Sequence, residues 1–291
     1  MQIIKFDYVI NKKLWGQEHW LISAHEHGMG VINNGQYQGL SLQEFFDKHK
    51  DLLGIAQDKQ EFPLLMKIIE AHEDLSIQVH PDDEYAQQYE NSLGKSECWY
   101  ILEAQNTDII VGQNEKTKAA LADKIQNKQI MTSLNRFPIQ KGDFFYIPAG
   151  TVHAIRHNTK ILEIQQSSDI TYRLYDYERV DKEGNLRELH VAKSLDVIDY
   201  NYQLQDQSKV TIENEDFQSI ILTDNKYFIV EKIIIKNKFK LHCNKYKLGY
   251  VLSGMLQTKE EQVQASEAFM LLKDTEIVFQ GQGELILTTS K

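Results

Sequence analysis

Short runs rich in Ile, Val, Tyr and Phe alternate with turn residues along most of the chain. In residues 142–155, for example, the runs Phe144–Ile147 and 151–155 are separated by the turn Pro148-Ala149-Gly150. Branched and aromatic residues favour strands, whereas Gly and Pro favour the turns between them. The pattern therefore predicts a mainly β protein.

Three segments have helical patterns instead. In Ser41-Leu42-Gln43-Glu44, the Ser41 hydroxyl and the Glu44 carboxylate can bind free backbone N–H groups, as in a capping box at the start of a helix. Residues 115–135 have a loosely apolar stripe at helical spacing, and residues 191–197 are the third predicted helix. We expect these helices to be short insertions in the β structure.

Near Tyr200 the sequence pattern changes from strands mixed with helices to strands alone, which predicts two domains, residues 1–200 and residues 201–291. The first contains the helical segments, and the second is a smaller β domain. The second contains one histidine in Leu241-His242-Cys243-Asn244 and lacks a Pro-x-Gly-x-x-His turn. We therefore expect no metal site in the second domain.

Composition and charge restrict the class of protein. Apolar residues make up 42% of the 291 residues and charged residues 25%, which is typical of a globular chain rather than a disordered or fibrous one. The net charge of −10 argues against a general nucleic-acid binder, because phosphate backbones select a basic surface. A phosphorylated small molecule remains compatible with a locally positive pocket.

Neither a signal peptide nor a membrane-spanning segment is predicted, because the N-terminus carries early charges and no apolar run is long enough. Cys98 and Cys243 are far apart and outside any CxxC pattern, so no disulfide framework is expected. We expect a soluble protein in the cytoplasm, with no membrane and no nucleic-acid partner. The sequence leaves the oligomeric state open.

Candidate metal ligands lie on predicted strands. In residues 75–80, Ile77 and Val79 point to one face of a strand, while Ser76, Gln78 and His80 point to the other. We expect the apolar face to pack into the sheet interior. The opposite face then presents an amide oxygen and an imidazole to the same space.

Two further strands supply the remaining candidates. Glu97 shares a strand face with Lys95 and Trp99, and the Pro-x-Gly-x-x-His turn places His153 at the mouth of a strand. Two imidazoles, a carboxylate and an amide oxygen suit a divalent metal such as zinc. The rival pair His25 and His27 is followed by glycines, and we interpret it as structural, near the pocket rim.

The spacing Gly142-x5-Pro148-x-Gly150-x2-His153 resembles the second cupin motif, although the usual Asn comes one residue late, as Asn158. Over roughly its first two-thirds the chain also resembles type I mannose-6-phosphate isomerase in its short bacterial form. The segments that carry this resemblance are Trp15-Gly16, Pro63-Leu-Leu-Met-Lys-Ile, Leu75-Ser-Ile-Gln-Val-His-Pro81, Gly94-Lys-Ser-Glu-Cys-Trp-Tyr100 and Tyr172-Arg173.

The resemblance implies two cupin-like jelly-roll β units with short helical insertions, the first of them catalytic. It also implies an enzyme that interconverts mannose 6-phosphate and fructose 6-phosphate through an enediolate. One zinc ion per chain would then be held by Gln78, His80, Glu97 and His153.

The resemblance further implies that Arg173 is the arginine of the catalytic site and makes Glu163 a candidate base. An arginine stays protonated near neutral pH, so its natural role is to stabilise or bind an anion. Lys95 is a second cation available to phosphate or to a developing oxyanion, and Ser76 could donate a hydrogen bond to phosphate. A water molecule or His157 is the alternative for the carbon base.

Two other functions are compatible with the chain. One is a cupin module that binds a sugar phosphate without converting it, although the full ligand complement and Arg173 argue against it. The other is an iron or manganese oxygenase, but such sites favour three histidines or a facial triad, which Gln78 fits poorly.

Overall fold

The computed structural model describes residues 3–180, 184–205 and 208–291. Among the described residues, strands make up 45% and helices 16%, which confirms the mainly β prediction. The α-helices are α1 (Leu42–Lys48), α2 (Lys50–Leu53), α3 (Asp83–Glu90), α4 (Lys118–Gln126) and α5 (Val191–Val197). The strands are β1 (Ile3–Ile4), β2 (Phe6–Asp7), β3 (Val9–Lys13), β4 (Gly16–Ile22), β5 (Val31–Ile32), β6 (Leu64–Ala71), β7 (Ile77–Val79), β8 (Glu97–Ala104), β9 (Asp108–Gln113), β10 (Leu134–Pro138), β11 (Phe144–Ile147), β12 (His153–Ile155), β13 (Thr159–Gln166), β14 (Tyr172–Tyr175), β15 (Lys209–Glu213), β16 (Phe217–Asp224), β17 (Phe228–Ile235), β18 (Lys238–His242), β19 (Lys247–Gln257), β20 (Gln262–Gln264), β21 (Ala268–Leu271) and β22 (Glu276–Ser290).

Two antiparallel sheets dominate the compact unit formed by residues 10–19 and 67–205. The five-stranded sheet has the order β10-β9-β12-β7-β14, and the six-stranded sheet has the order β11-β8-β13-β6-β4-β3. Ile109 and Val111 of the first sheet share a buried cluster with Trp99 and Ile161 of the second. The inner faces of the sheets therefore pack on each other, as in a jelly roll.

The outer face of the five-stranded sheet is covered by helices. Ile77 and Val79 of β7 belong to a buried cluster with Leu121 of α4 and Leu195 of α5. The apolar face of β7 is thus buried, as we expected, and the elements that cover it are these helices. Helices α4 and α5 supply apolar surface on that side, which leaves Gln78 on the inner face.

The other compact unit consists of residues 1–9, 20–66 and 206–291. Its sheet has the order β1-β21-β19-β22-β17-β16-β15, with β18 paired to β22 and β20 paired to β19. The buried aromatic side chains of Phe269 and Phe279 lie in the core of this sheet. This unit combines two N-terminal segments with the C-terminal third of the chain. The predicted division into domains at residue 200 remains a prediction.

The predicted helices form, but one of them is shorter than expected. The capping box is confirmed, because Glu44 N donates to Ser41 Oγ (3.2 Å) and Ser41 N donates to Glu44 Oε2 (2.9 Å). Helix α5 has its predicted bounds. Helix α4 covers only the first part of residues 115–135, because Lys128 has a φ of 55° and turns the backbone out of the helix.

Among the helices in the described part of the chain, none combines the length and the apolar composition that crossing a membrane would require.

Candidate metal centre and active site

Backbone pairing aligns three of the predicted site residues in one row across the five-stranded sheet. Gln78 on β7 lies opposite His153 on β12 and also opposite Arg173 on β14. Residues directly opposite each other in an antiparallel pair point to the same face. The row therefore directs an amide, an imidazole and a guanidinium into the space between the sheets.

The six-stranded sheet, which faces this one, contributes two cross-strand pairs of residues. Glu97 on β8 lies opposite Gln165 on β13, and Trp99 lies opposite Glu163. The Trp99 indole N–H donates to Glu97 Oε1 and to Glu163 Oε2, at 3.0 Å in each case. The tryptophan thus holds both carboxylates on the inner face.

The two imidazoles are oriented by backbone carbonyl groups. His80 Nδ1 lies 2.7 Å from Ile170 O, and His153 Nδ1 lies 2.8 Å from Thr151 O. Since a carbonyl oxygen accepts only, each Nδ1 carries the proton and each Nε2 presents a lone pair. This is the tautomer that a metal-binding histidine needs.

Both lone pairs converge on Glu97. His80 Nε2 lies 3.3 Å from Glu97 Oε2, and His153 Nε2 lies 3.4 Å from Glu97 Oε1. One potential ligand atom from each of these three residues lies within 4.8 Å of the others, and each side chain is only 1% exposed. The structure therefore brings together three of the four predicted ligands in a buried group that could hold a metal ion.

Gln78 lies at the edge of this group. Its Nε2 is 3.2 Å from His153 Nε2, and Ser76 Oγ donates to its Oε1 at 3.5 Å. A half-turn of the amide would present its oxygen to the same space, because the two ends of an amide have nearly the same shape. Neutral imidazoles, one carboxylate and an amide oxygen form a donor set that fits a divalent cation.

The electrostatics of the group favour neutral imidazoles and a charged carboxylate. Burial, together with the charge of Lys95, lowers the pKa of His80 to about 3, and burial also lowers the pKa of His153. Burial alone would raise the pKa of Glu97, but the Lys95 ammonium holds it well below its usual range. All three groups are thus in the protonation state that binds metal.

A buried lysine contacts the group directly. Lys95 Nζ lies 2.8 Å from Glu97 Oε2 and 3.1 Å from His80 Nε2. Its ammonium therefore places a positive charge against the lone pairs that a metal would use. Lys95 is 5% exposed, so it is not the ordinary surface lysine that its type would suggest.

Lys67 is a site residue that our sequence reasoning did not identify. Its Nζ lies 2.9 Å from Glu163 Oε1 and 3.4 Å from Glu18 Oε1, and its side chain is 7% exposed. The signal was available, because Lys67 is the one cation in Leu64–Ala71, a strand whose other residues are apolar except for Glu70. A lysine on such a strand needs a buried partner, and that partner is Glu163.

Arg173, on the edge strand β14, lies at the end of its row. Its Nε is buried and has no hydrogen bond among the described residues. The carboxylate of Asp176, three residues further along the chain, forms ion pairs with Arg179 and with Arg187, the latter at 3.1 Å. Burial and the charge of Arg187 lower the pKa of Arg173. Its guanidinium lies in the same row as Gln78 and could bind an anion.

His157 and His25, which lie outside the buried group, have partners close to them in the structure. His157 Nδ1 lies 2.6 Å from Asp74 Oδ1, and the His157 side chain is 41% exposed. His27 N donates to His25 Nδ1 at 3.2 Å, so His25 caps the short helical turn Glu26–Gly28.

Comparison with known proteins identifies close relatives. A family model described as phosphomannose isomerase type I, catalytic domain, matches residues 5–136. Mannose-6-phosphate isomerase ManA of Bacillus subtilis (strain 168) is 46% identical over 230 residues, which is 78% of this chain and 72% of that one. Mannose-6-phosphate isomerase of Streptococcus mutans is 39% identical over 252 residues, which is 86% of this chain and 79% of that one.

Solved structures agree with these matches. The crystal structure of the mannose 6-phosphate isomerase from Bacillus subtilis has a TM-score of 0.94 and 31% identity, and the match covers 99% of this chain and 100% of that one. A putative mannosephosphate isomerase from Archaeoglobus fulgidus has a TM-score of 0.77 at 19% identity and shares the fold, over 100% of this chain and 98% of that one.

Proposed function

The chain belongs to the type I phosphomannose isomerase family, and from this premise we propose that it interconverts mannose 6-phosphate and fructose 6-phosphate with one zinc ion per chain. The observation that carries the proposal is the buried convergence of His80, Glu97 and His153, with Lys95 and Glu163 beside them. We also propose a cytoplasmic location, on the sequence grounds given above.

The reaction sets definite demands on the site. An aldose and a ketose interconvert when one proton moves between C1 and C2 and another moves between the two oxygens. The site must stabilise the negative oxygen of the enediolate and supply a base for the carbon proton. When bound by Gln78, His80, Glu97 and His153, zinc would supply Lewis-acid polarisation of the carbonyl group.

Glu163 is the residue that we assign as the base. Burial and the negative charge of Glu97 raise its pKa, which suits a carboxylate that must take up and return a proton. The Lys67 ammonium at 2.9 Å and the Trp99 N–H at 3.0 Å fix the position of its two oxygens. Glu163 therefore holds the proton at a defined place between the sheets.

Arg173, Lys95 and Ser76 are assigned to the anionic parts of the substrate. The buried Nε of Arg173 has no partner among the described residues, so a phosphate or enediolate oxygen can satisfy it. Lys95 Nζ, beside the metal ligands, can neutralise a developing oxyanion. Ser76 is buried next to Gln78 and can donate its hydroxyl hydrogen.

The proposal is tested with purified protein and the two sugar phosphates. We expect interconversion, its loss on treatment with a chelator, and its return on adding zinc. The Glu97→Ala variant should lose both bound metal and activity, because it removes the only charged ligand. Glu103→Ala is the matched control, since Glu103 lies on the same strand but is exposed. Full activity without metal would refute the proposed mechanism.

The same preparation separates the competing functions. A non-catalytic module would bind fructose 6-phosphate without turnover. An oxygenase would contain iron or manganese instead of zinc, which elemental analysis detects directly.

A further inference from the structure

Gln165 is a buried glutamine whose amide group is satisfied at one end only. Gln165 is only 1% exposed. The Nε2 group donates to Gln166 O at 2.9 Å and to Ser168 O at 2.5 Å. The Oε1 atom is also buried, and it has no hydrogen-bond partner among the described residues.

The orientation of this amide is fixed by its neighbours. A half-turn would bring Oε1 against the carbonyl oxygens of Gln166 and Ser168, where three acceptors would repel one another. The nitrogen must therefore face the backbone of residues 166–168. The oxygen consequently points away from that segment and has a single fixed direction.

The position of Gln165 places its side chain in the wall of the site. Gln165 lies directly opposite Glu97 in the antiparallel pair of β8 and β13, so the two side chains share the inner face. Glu163 lies two residues earlier on the same strand and shares that face as well. The segment that receives the Gln165 amide continues to Ile170, whose carbonyl orients His80.

The chemistry of the unpaired atom defines its ligand. In folded proteins nearly every buried polar atom has a partner, either protein or water, so this oxygen needs a donor that the described residues do not supply. An amide oxygen is uncharged and accepts from neutral O–H groups, which a sugar chain offers at several carbons. We propose that Gln165 Oε1 accepts a hydrogen bond from one hydroxyl of the sugar-phosphate substrate, at C3 or C4. This inference rests on the proposed function.

The test combines a change in the protein with changes in the ligand. Gln165→Met keeps the length and unbranched shape of the side chain but removes the acceptor. The zinc-loaded variant and wild type are titrated calorimetrically with fructose 6-phosphate and with its 3-deoxy and 4-deoxy analogues. We expect the variant to bind fructose 6-phosphate about tenfold more weakly, with unchanged zinc content.

Gln166→Met is the matched control. Gln166 is also buried, but its amide is satisfied at both ends, by Ser96 N at 2.9 Å and by Asp83 Oδ1 at 2.9 Å. Its replacement should lower the melting temperature without changing the preference among the three ligands. The melting temperature and the affinity for the three ligands are therefore measured for wild type and for both variants.

The decisive result is the coupling between protein and ligand. One deoxy analogue should bind wild type more weakly than fructose 6-phosphate does, yet lose little further affinity to Gln165→Met. Equal losses for all three ligands, or unchanged binding of fructose 6-phosphate, would overturn the inference. If wild type bound fructose 6-phosphate with this coupling but did not convert it, the proposed isomerase activity would fail while the role of Gln165 stood.

Discussion

At the scale of single residues, the site depends on how buried charges are paired. Glu97 pairs with Lys95, and Glu163 pairs with Lys67, while the Trp99 N–H bridges the two carboxylates. Unpaired buried charges are costly, so each lysine compensates one carboxylate. The two carboxylates differ in role, because Glu97 contacts the imidazoles and Glu163 does not.

This pairing leads to a prediction for Glu163. Glu163→Gln removes the proposed proton acceptor but keeps the shape of the side chain and leaves intact His80, Glu97 and His153, which we propose bind the metal. We expect kcat to fall by about 10²- to 10⁴-fold, the usual contribution of a general base, while zinc content stays unchanged. Steady-state kinetics and elemental analysis measure the two quantities. A variant with the wild-type kcat would remove Glu163 from the mechanism.

Lys67 gives a second test at the same scale. Lys67→Met leaves the Glu163 carboxylate buried without its main counter-charge, although Lys95 lies 3.9 Å away. We expect a loss of stability of roughly 3 kcal/mol, as is typical when one partner of a buried pair is removed. Chemical denaturation measures this loss, and Lys141→Met, at an exposed lysine, is the control. An unchanged free energy of unfolding would show that Glu163 does not need Lys67.

At the scale of elements, the Asp74 carboxylate holds the turn after β12 in place through hydrogen bonds. Asp74, between β6 and β7, accepts from His157 N (3.0 Å) and from Arg156 Nη2 (3.1 Å). Arg156 Nη1 also donates to Asp108 at the start of β9 (3.0 Å). The network joins the chain before β7, after β12 and at the start of β9, which are neighbouring strands of the five-stranded sheet, and so it supports the strand that begins with His153.

The pKa of Asp74 makes this network sensitive to pH. Burial alone would raise that pKa, but the hydrogen bonds from His157 and Arg156 lower it below 3.8. Because the folded state binds the proton less tightly than the unfolded state, the stabilisation is complete above pH 3.8 and is lost as pH falls through the folded-state pKa.

We therefore expect Asp74→Asn to lower the free energy of unfolding at neutral pH by roughly 1 kcal/mol, after allowance for solvent screening. The difference from wild type should shrink as the pH of the unfolding experiment falls below 3.8. A difference that grew on acidification would contradict this account.

The sequence predicts elements better than it predicts their partners. Alternation on β7 correctly assigns Gln78 and Ile77 to opposite faces, because side-chain direction is a local property of a strand. It does not show which neighbour covers the apolar face, and so the contact with α4 and α5 was not expected. Strand pairing likewise decides that Gln165 faces Glu97, and pairing depends on residues far apart in the chain.

At the scale of the whole chain, the two compact units are each made from separated segments. Within the unit of residues 1–9, 20–66 and 206–291, Tyr246 N donates to Leu53 O (3.0 Å) and the ring of Tyr246 packs on Phe62. Composition and local pattern change near residue 200, which suggested a boundary there. Contacts such as these lie outside any local pattern, so only the structure reveals them.

A truncated chain tests this organisation. A fragment of residues 1–205 would leave Leu53 and Phe62 without the strands that bury them. We expect its melting temperature to be lower by roughly 10 °C or more, since each kcal/mol lost shifts Tm by about 2–4 °C at this size. Proteases should cut it quickly within residues 20–66, and co-expression of residues 206–291 should restore protection. A fragment as protease-resistant as the full chain would favour an independent domain of residues 1–200.

The pairing of β1 with β21 has a consequence for biosynthesis. Ile3 lies opposite Leu271, so β1 leaves the ribosome long before its hydrogen-bonding partner β21 is synthesised. Until β21 has been synthesised, the apolar residues Ile3 and Ile4 lie on a strand that lacks this partner. A nascent chain with such an exposed edge is a natural client for chaperones that bind short hydrophobic segments.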